Sequence, residues 1–195
     1  MFYKISVNIL CIVTLTFGAV NYLNAVEQTQ DKALMQNYDM QEIMESGDKF
    51  FGNMSGGLAK VFTKIFASYG KPNAYILGFE TSGSIVGGIT YGKGTLYNKS
   101  GKLAPVFWTG PSVGIDFGGQ ASRLMILVYN LNNIEEMWRR YAGISGSAYA
   151  VAGAGFNVLQ NDNILLIPVK AGIGARLGVN MGYLKFRPHP TVNPF

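Results

Sequence analysis

The chain has 195 residues, 48% hydrophobic and 14% charged, with 25 glycines and a formal net charge of +5. That length suits one domain with a sizeable core, and few charges with many glycines argue for sheet and turns and against a helical bundle. The lysines and arginines are scattered without a basic run, so no nucleic-acid footprint is supported.

Residues 1–25 read as a signal peptide. Lys4 supplies the positive start, 5–20 is an uncharged apolar run, and Ala25 is a small residue ahead of a polar stretch. The run is shorter than the roughly 20 residues that span a bilayer. Leu23 is bulky for a cleavage site, which leaves the exact cut open; an uncleaved anchor is the alternative. Cys11 is the only cysteine. Leu10 precedes it where a lipoprotein site needs a small residue, so lipidation is not expected. Once the leader is removed, no thiol remains for a disulfide, a nucleophile or a metal site.

Residues 26–56 form a polar segment with a short helix. It starts near Asp39, where Asp39 and Glu42 have capping-box spacing and Ile43, Met44 and Phe50 give an apolar side. A second helix is predicted over 57–70, with Ser55 as its cap. Leu58, Val61, Phe62, Ile65, Phe66 and Tyr69 recur at helical spacing, and Gly70 and Pro72 stop it. Its stripe must bury, and the sheet that follows is the nearest surface.

From Asn73 the pattern becomes short β-like runs separated by glycine. Strands are predicted near 73–80, 84–91, 94–98, 104–109, 111–118, 122–131, 146–159, 163–170 and 172–186, some merged or bent. One helix interrupts, with Asn133 and Glu136 at capping spacing, Trp138 and Tyr141 following, and Gly143 at its end. Glycines at 153 and 155, 172 and 174, and 178 and 182 have even spacing, which places each pair on one strand face. A face without side chains can bend sharply, as a small closed barrel requires. The fold class is therefore mainly β: a small coiled antiparallel β-barrel of about eight strands, preceded by one or two amphipathic helices, with 57–195 as a single domain. A terminal aromatic such as Phe195 is typical of outer-membrane barrels. However, Pro188, Pro190 and Pro194 rule the tail out as a closing strand. Residues 124–129 and 164–169 read as buried on both faces, unlike lipid-facing strands. A soluble domain is expected.

Several motifs fail. Gly87 to Gly94 nearly spells a phosphate loop but has Gly94 where Ser or Thr would bind magnesium. Gly172 to Gly178 resembles a dinucleotide fingerprint without the helix that would hold the pyrophosphate. His189 is the only histidine and lies between prolines. No nucleotide, cofactor or metal is expected. Glu80 and Asp116 are the pair a hydrolase could use. The most unusual stretch is 110–131, where Asp116 lies between Ile115 and Phe117 and Arg123 opens an apolar run. Such charges are costly unless paired. One reading is a buried ion pair of Asp116 with Arg123 or Arg176. The other makes Asp116, Arg123 and Arg176 the polar end of a ligand cleft beside Trp108.

GPSVGIDFGGQASRLMILVYNL (110–131), GSAYAVAGAGF (146–156), LLIPVKAGIGARLGVNMGYLKF (165–186) and TVNPF (191–195) resemble the envelope integrity protein A (EipA) family of alphaproteobacteria, as do KFFGNMSGGLAKVF (49–62), YGKPNAYILGFE (69–80) and YGKGTLYN (91–98). The sequence departs from that pattern at Val192, where a tryptophan is expected. The resemblance implies a periplasmic protein with a small β-barrel that supports envelope integrity, with no established enzymatic activity. The expected function is non-catalytic: binding an envelope component (lipid, lipopolysaccharide or peptidoglycan) or a periplasmic protein. A partial likeness of 118–130 and 146–155 to SYLF lipid-binding domains gives an alternative, and a cell-wall or lipid hydrolase gives a rival class.

Overall fold

The computed structural model describes residues 36–52, 56–83, 87–113, 122–171 and 182–191. The leader, Cys11, Ser55, Asp116, Arg176, the glycines between 172 and 178, Val192 and Pro194 lie outside these residues.

Helix α1 covers Met40–Phe51. The Asp39 carboxylate accepts from the Glu42 N–H at 3.0 Å and the Glu42 carboxylate accepts from the Asp39 N–H at 2.9 Å, so the expected capping box is formed. The helix ends at Gly52, whose φ of 75° places it in the region glycine adopts without strain. Helix α2 covers Gly56–Tyr69, with Leu58, Val61, Phe62 and Ile65 buried along one stripe. The Phe62 ring packs where α1 has Gly47: a Cβ there would lie 3.1 Å from the ring.

The strands are β1 Ala74–Gly83, β2 Gly87–Asn98, β3 Gly101–Val113, β4 Ser122–Tyr129, β5 Arg140–Gly143, β6 Tyr149–Val151, β7 Ala154–Phe156, β8 Leu159–Asn161, β9 Ile164–Ala171 and β10 Tyr183–Arg187. Their antiparallel pairings run β4-β1-β2-β3-β10-β5-β8-β9, and the β4–β9 pairing closes the ring. The result is the expected eight-stranded barrel preceded by two helices. The β6–β7 hairpin is an addition, continuing along the edge of β9 beyond β8.

The structure corrects several predicted boundaries. Residues 87–91 and 94–98 belong to one strand, β2, and 104–109 and 111–113 merge into β3, with 84–86 and 114–118 outside the described residues. Antiparallel partners on both sides of β2 carry it through its glycines. Run 146–159 breaks into β6, β7 and β8, with Ala152 and Gly153 in left-handed backbone between the first two. Gly153 is thus a turn glycine and not one of a strand-face pair. The helix expected from Asn133 stops as the 3₁₀ turn Ile134–Met137. Asn133 caps it, but Arg140 and Tyr141 are drawn into β5, where they pair with β10.

Alternation along the strands divides the core into two layers. Ile76, Leu96, Val106, Trp108, Leu124, Ile126, Val128, Tyr141, Leu166, Leu184 and Phe186 fill the barrel. Met125, Leu127, Tyr129, Ile167 and Val169 lie outside it, packed with Leu58, Val61, Phe62 and Ile65 of α2. Strands β4 and β9 are therefore buried on both faces, as their continuous apolar runs indicated. Burial pushes the Tyr129 and Tyr141 hydroxyls well above the ordinary tyrosine range.

Candidate functional site

Inside the barrel, even-numbered positions of β1 and β2 are glycine opposite Trp108. A Cβ on Gly92 would lie 1.9 Å from Trp108 Cε2, and one on Gly78 would lie 2.7 Å from Cη2. The indole therefore lies flat on bare backbone. Its Nε1 donates to Glu80 Oε2 at 3.0 Å, and Lys170 Nζ donates to Glu80 Oε1 at 2.5 Å. Glu80 is 3% exposed and has both oxygens engaged, while the Lys170 side chain keeps 30% of its surface in solvent. Glu80 is the one buried carboxylate among the described residues. Two-carboxylate hydrolysis needs a second acid facing it, and the described residues supply none. No group of three potential metal ligands occurs among them either.

The outer face of the same strands carries a groove of about 310 Å³. Its lining includes Phe79, Thr81, Tyr91, Lys93, Phe107 and Arg187, and it also touches Gly92, Trp108, Thr109, Pro190 and Thr191. The register explains this grouping. Phe79 pairs with Lys93, Lys93 with Phe107, and Phe107 with Arg187, so one row across four strands alternates ring and cation. The next row is Thr81, Tyr91, Thr109 and Lys185. Phe79 is 44% and Tyr91 39% exposed. Arg187 Nη1 donates to the Thr109 hydroxyl at 2.9 Å, which braces the guanidinium along the groove. Phe50 of α1 extends the aromatic surface, its ring 5.9 Å from that of Phe79.

Of the residues singled out in the sequence, Trp108 and Arg123 can be placed, and they do not meet. Trp108 is inside the barrel with 1% exposure. Arg123 is exposed, and its Nη1 donates to the Phe51 carbonyl at 2.8 Å. This corrects the cleft that grouped them: Arg123 is the cation at the C-terminal end of α1, where the helix dipole favours positive charge. Trp108 borders the groove from the barrel side; the other groove residues were missed. Their signal is the period-two pattern Tyr91-Gly92-Lys93-Gly94, which sets side chains on one face and bare backbone on the other.

Comparison with known proteins adds the following. A family model described as envelope integrity protein A matches residues 36–195. A crystal structure described as a β-barrel-like, uncharacterized protein from Brucella abortus is 56% identical, with a TM-score of 0.74 over 82% of this chain and 99% of that one. None of the curated proteins matches.

Proposed function

This chain belongs to the envelope integrity protein A family, and from that premise we propose that it is a non-catalytic periplasmic factor that maintains the envelope by binding one of its components, or a partner protein, on the outside of the barrel. One observation carries this reading: the barrel is filled with its own side chains, while the outer face of β1, β2, β3 and β10 holds a groove with exposed rings. A filled barrel offers a ligand no interior, and exposed rings around a concavity mark a contact surface. The engaged state of Glu80 supports binding over hydrolysis. Among the described residues no helix is long and apolar enough to cross a membrane. The signal-peptide pattern of 1–25 supports export to the periplasm.

The test is complementation of a deletion strain. Phe79→Ala with Tyr91→Ala removes two exposed rings and should leave the melting temperature and the amount exported unchanged. That variant should fail to restore detergent resistance. Full restoration would show that the groove does not serve the envelope role.

A further inference from the structure

We infer that the groove binds the N-acetylated sugars of an envelope glycan, with pyranose faces on the Phe79 and Tyr91 rings and an acetamido carbonyl accepting from Lys93; this rests on the groove being the functional surface. Three observations lead there. The first is what the surface offers. Phe79, Lys93 and Phe107 are paired neighbours across β1, β2 and β3, and Tyr91 shares the outer face of β2 with Lys93. Phe79, Tyr91 and Lys93 are all exposed. The face of an aromatic ring is weakly negative, and the C–H bonds on a pyranose face are weakly positive, so the two stack. An ammonium has three N–H donors and no acceptor. The acetamido carbonyl is the strongest uncharged acceptor on a sugar, and its methyl group suits the rings on either side.

Second, the charge does not select an ion. Arg187 is engaged with Thr109 and elsewhere, and Tyr91 is engaged too, so its part is its ring. Helix α1 runs along the outer face of β1: the Ser46 hydroxyl donates to Tyr75 at 3.4 Å, and the Phe50 ring lies 5.9 Å from that of Phe79. It brings Glu42, Glu45 and Asp48 to this side of the barrel. Mixed charge gives an anionic ligand little net attraction, whereas an uncharged ligand with many hydrogen-bonding groups fits it. Third, the strands under the groove have no open edge. Each of β1, β2, β3 and β10 has a partner on both sides. Their main chain is used in the ladder, so a peptide cannot add to it as a further strand. A glycan needs side chains only. The volume of about 310 Å³ is at the small end for small-molecule sites and suits a short stretch of a longer chain.

Saturation-transfer NMR of the exported, leader-free protein with chitotetraose tests this, with maltotetraose, which lacks acetamido groups, as the comparison. Saturation should pass from the protein's aromatic protons to the ring C–H and acetyl methyl protons of chitotetraose. Titration should show saturable binding, weaker for maltotetraose. Raising the salt should leave the affinity unchanged, because screening acts on attraction between charges. Phe79→Ala with Tyr91→Ala should weaken binding on the order of tenfold or more. Lys93→Met keeps the stem and loses the donors, and should weaken it roughly threefold to tenfold. Both variants should keep the wild-type melting temperature. No transfer to chitotetraose, equally tight binding of maltotetraose, or an affinity indifferent to both variants would overturn the assignment. So would flotation with phosphatidylglycerol vesicles that chitotetraose does not prevent and the double variant abolishes, which would give the groove to lipid. In each of these cases, complementation of the deletion strain still decides separately whether the groove is the functional surface.

Discussion

Glu80 is a carboxylate inside a barrel packed mainly with apolar side chains, and its surroundings dictate how it responds to change. In Glu80→Gln the amide oxygen can still accept from Trp108 Nε1, but the Lys170 ammonium loses its counter-charge. Removing one member of a fully buried pair costs about 3–5 kcal/mol. Lys170 keeps 30% of its side-chain surface in water, so the expected loss is smaller, about 1–3 kcal/mol. At this chain length that lowers the melting temperature by roughly 2–4 °C per kcal/mol. Adding Lys170→Met should recover much of the loss, because no uncompensated cation is left. A single mutant that melts like wild type would show the pair to be energetically idle. Gly92→Ala should also destabilise, by about 1–3 kcal/mol or more. Its Cβ would fall 1.9 Å from Trp108 Cε2, so the indole must leave its floor. The sequence marks Trp108 and Glu80 as notable but cannot pair them. Lys170 reaches Glu80 because β9 and β1 flank β4, with Lys170, Leu124 and Gly78 in one row. That register is a property of the closed sheet and is not written in local spacing.

The helices were the most legible elements, because caps and stripes are local signals. Phe62 is fully buried, and Phe62→Ala should cost about 3–5 kcal/mol in a thermal melt. Phe66 is half-buried, so Phe66→Ala should cost less. No loss in either would mean that α2 is not held by the sheet. Helix α1 is tied down at its start. Tyr38 packs edge-on against Tyr75, which stacks on Tyr97, and Lys99 sits 4.7 Å over the Tyr38 ring while pairing with Glu42. The hydrogen bond from Lys99, with that from the Asp39 N–H, holds the Glu42 carboxyl below the ordinary range. A depressed folded-state value contributes stability that is fully present above the ordinary glutamate pKa and is lost as pH falls through the lowered one. Acid titration should therefore loosen α1 before the barrel melts, as faster amide exchange over 40–51. Lys99→Met should flatten that dependence. The helix expected from Asn133 shows the limit of local signals. Its cap forms, but Tyr141 gains more inside the barrel, fully buried with its hydroxyl donating to the Glu136 carbonyl at 2.9 Å, than on a third helix.

For the whole molecule, the strand count and the doubly buried runs were readable, and the order of strands was not. Continuous apolar sequence in β4 and β9 says that both faces are covered, but many strand orders satisfy that. Among the described residues, the order actually adopted makes β10 the only link between β3 and β5. Its five residues pair with Thr109, Trp108 and Phe107 on one side and Arg140 to Ala142 on the other. These partners lie far apart along the chain, and such contacts slow folding into roughly the millisecond-to-second range. Refolding followed by the fluorescence of Trp108 and Trp138 should be this slow, and a microsecond phase carrying the full amplitude would contradict it. Until residues 183–187 arrive, β3 presents an unpaired edge flanked by apolar side chains, the kind of template on which chains aggregate. A chain stopped after Ala171 keeps seven of the eight barrel strands and the β6–β7 hairpin as an open sheet with β3 and β5 as free edges, and it should be recovered as aggregate or as fragments cut by proteases. On the export route proposed above, the barrel cannot close before its last strand has crossed the membrane, so the interval between crossing and closure is when the chain would be most exposed to loss.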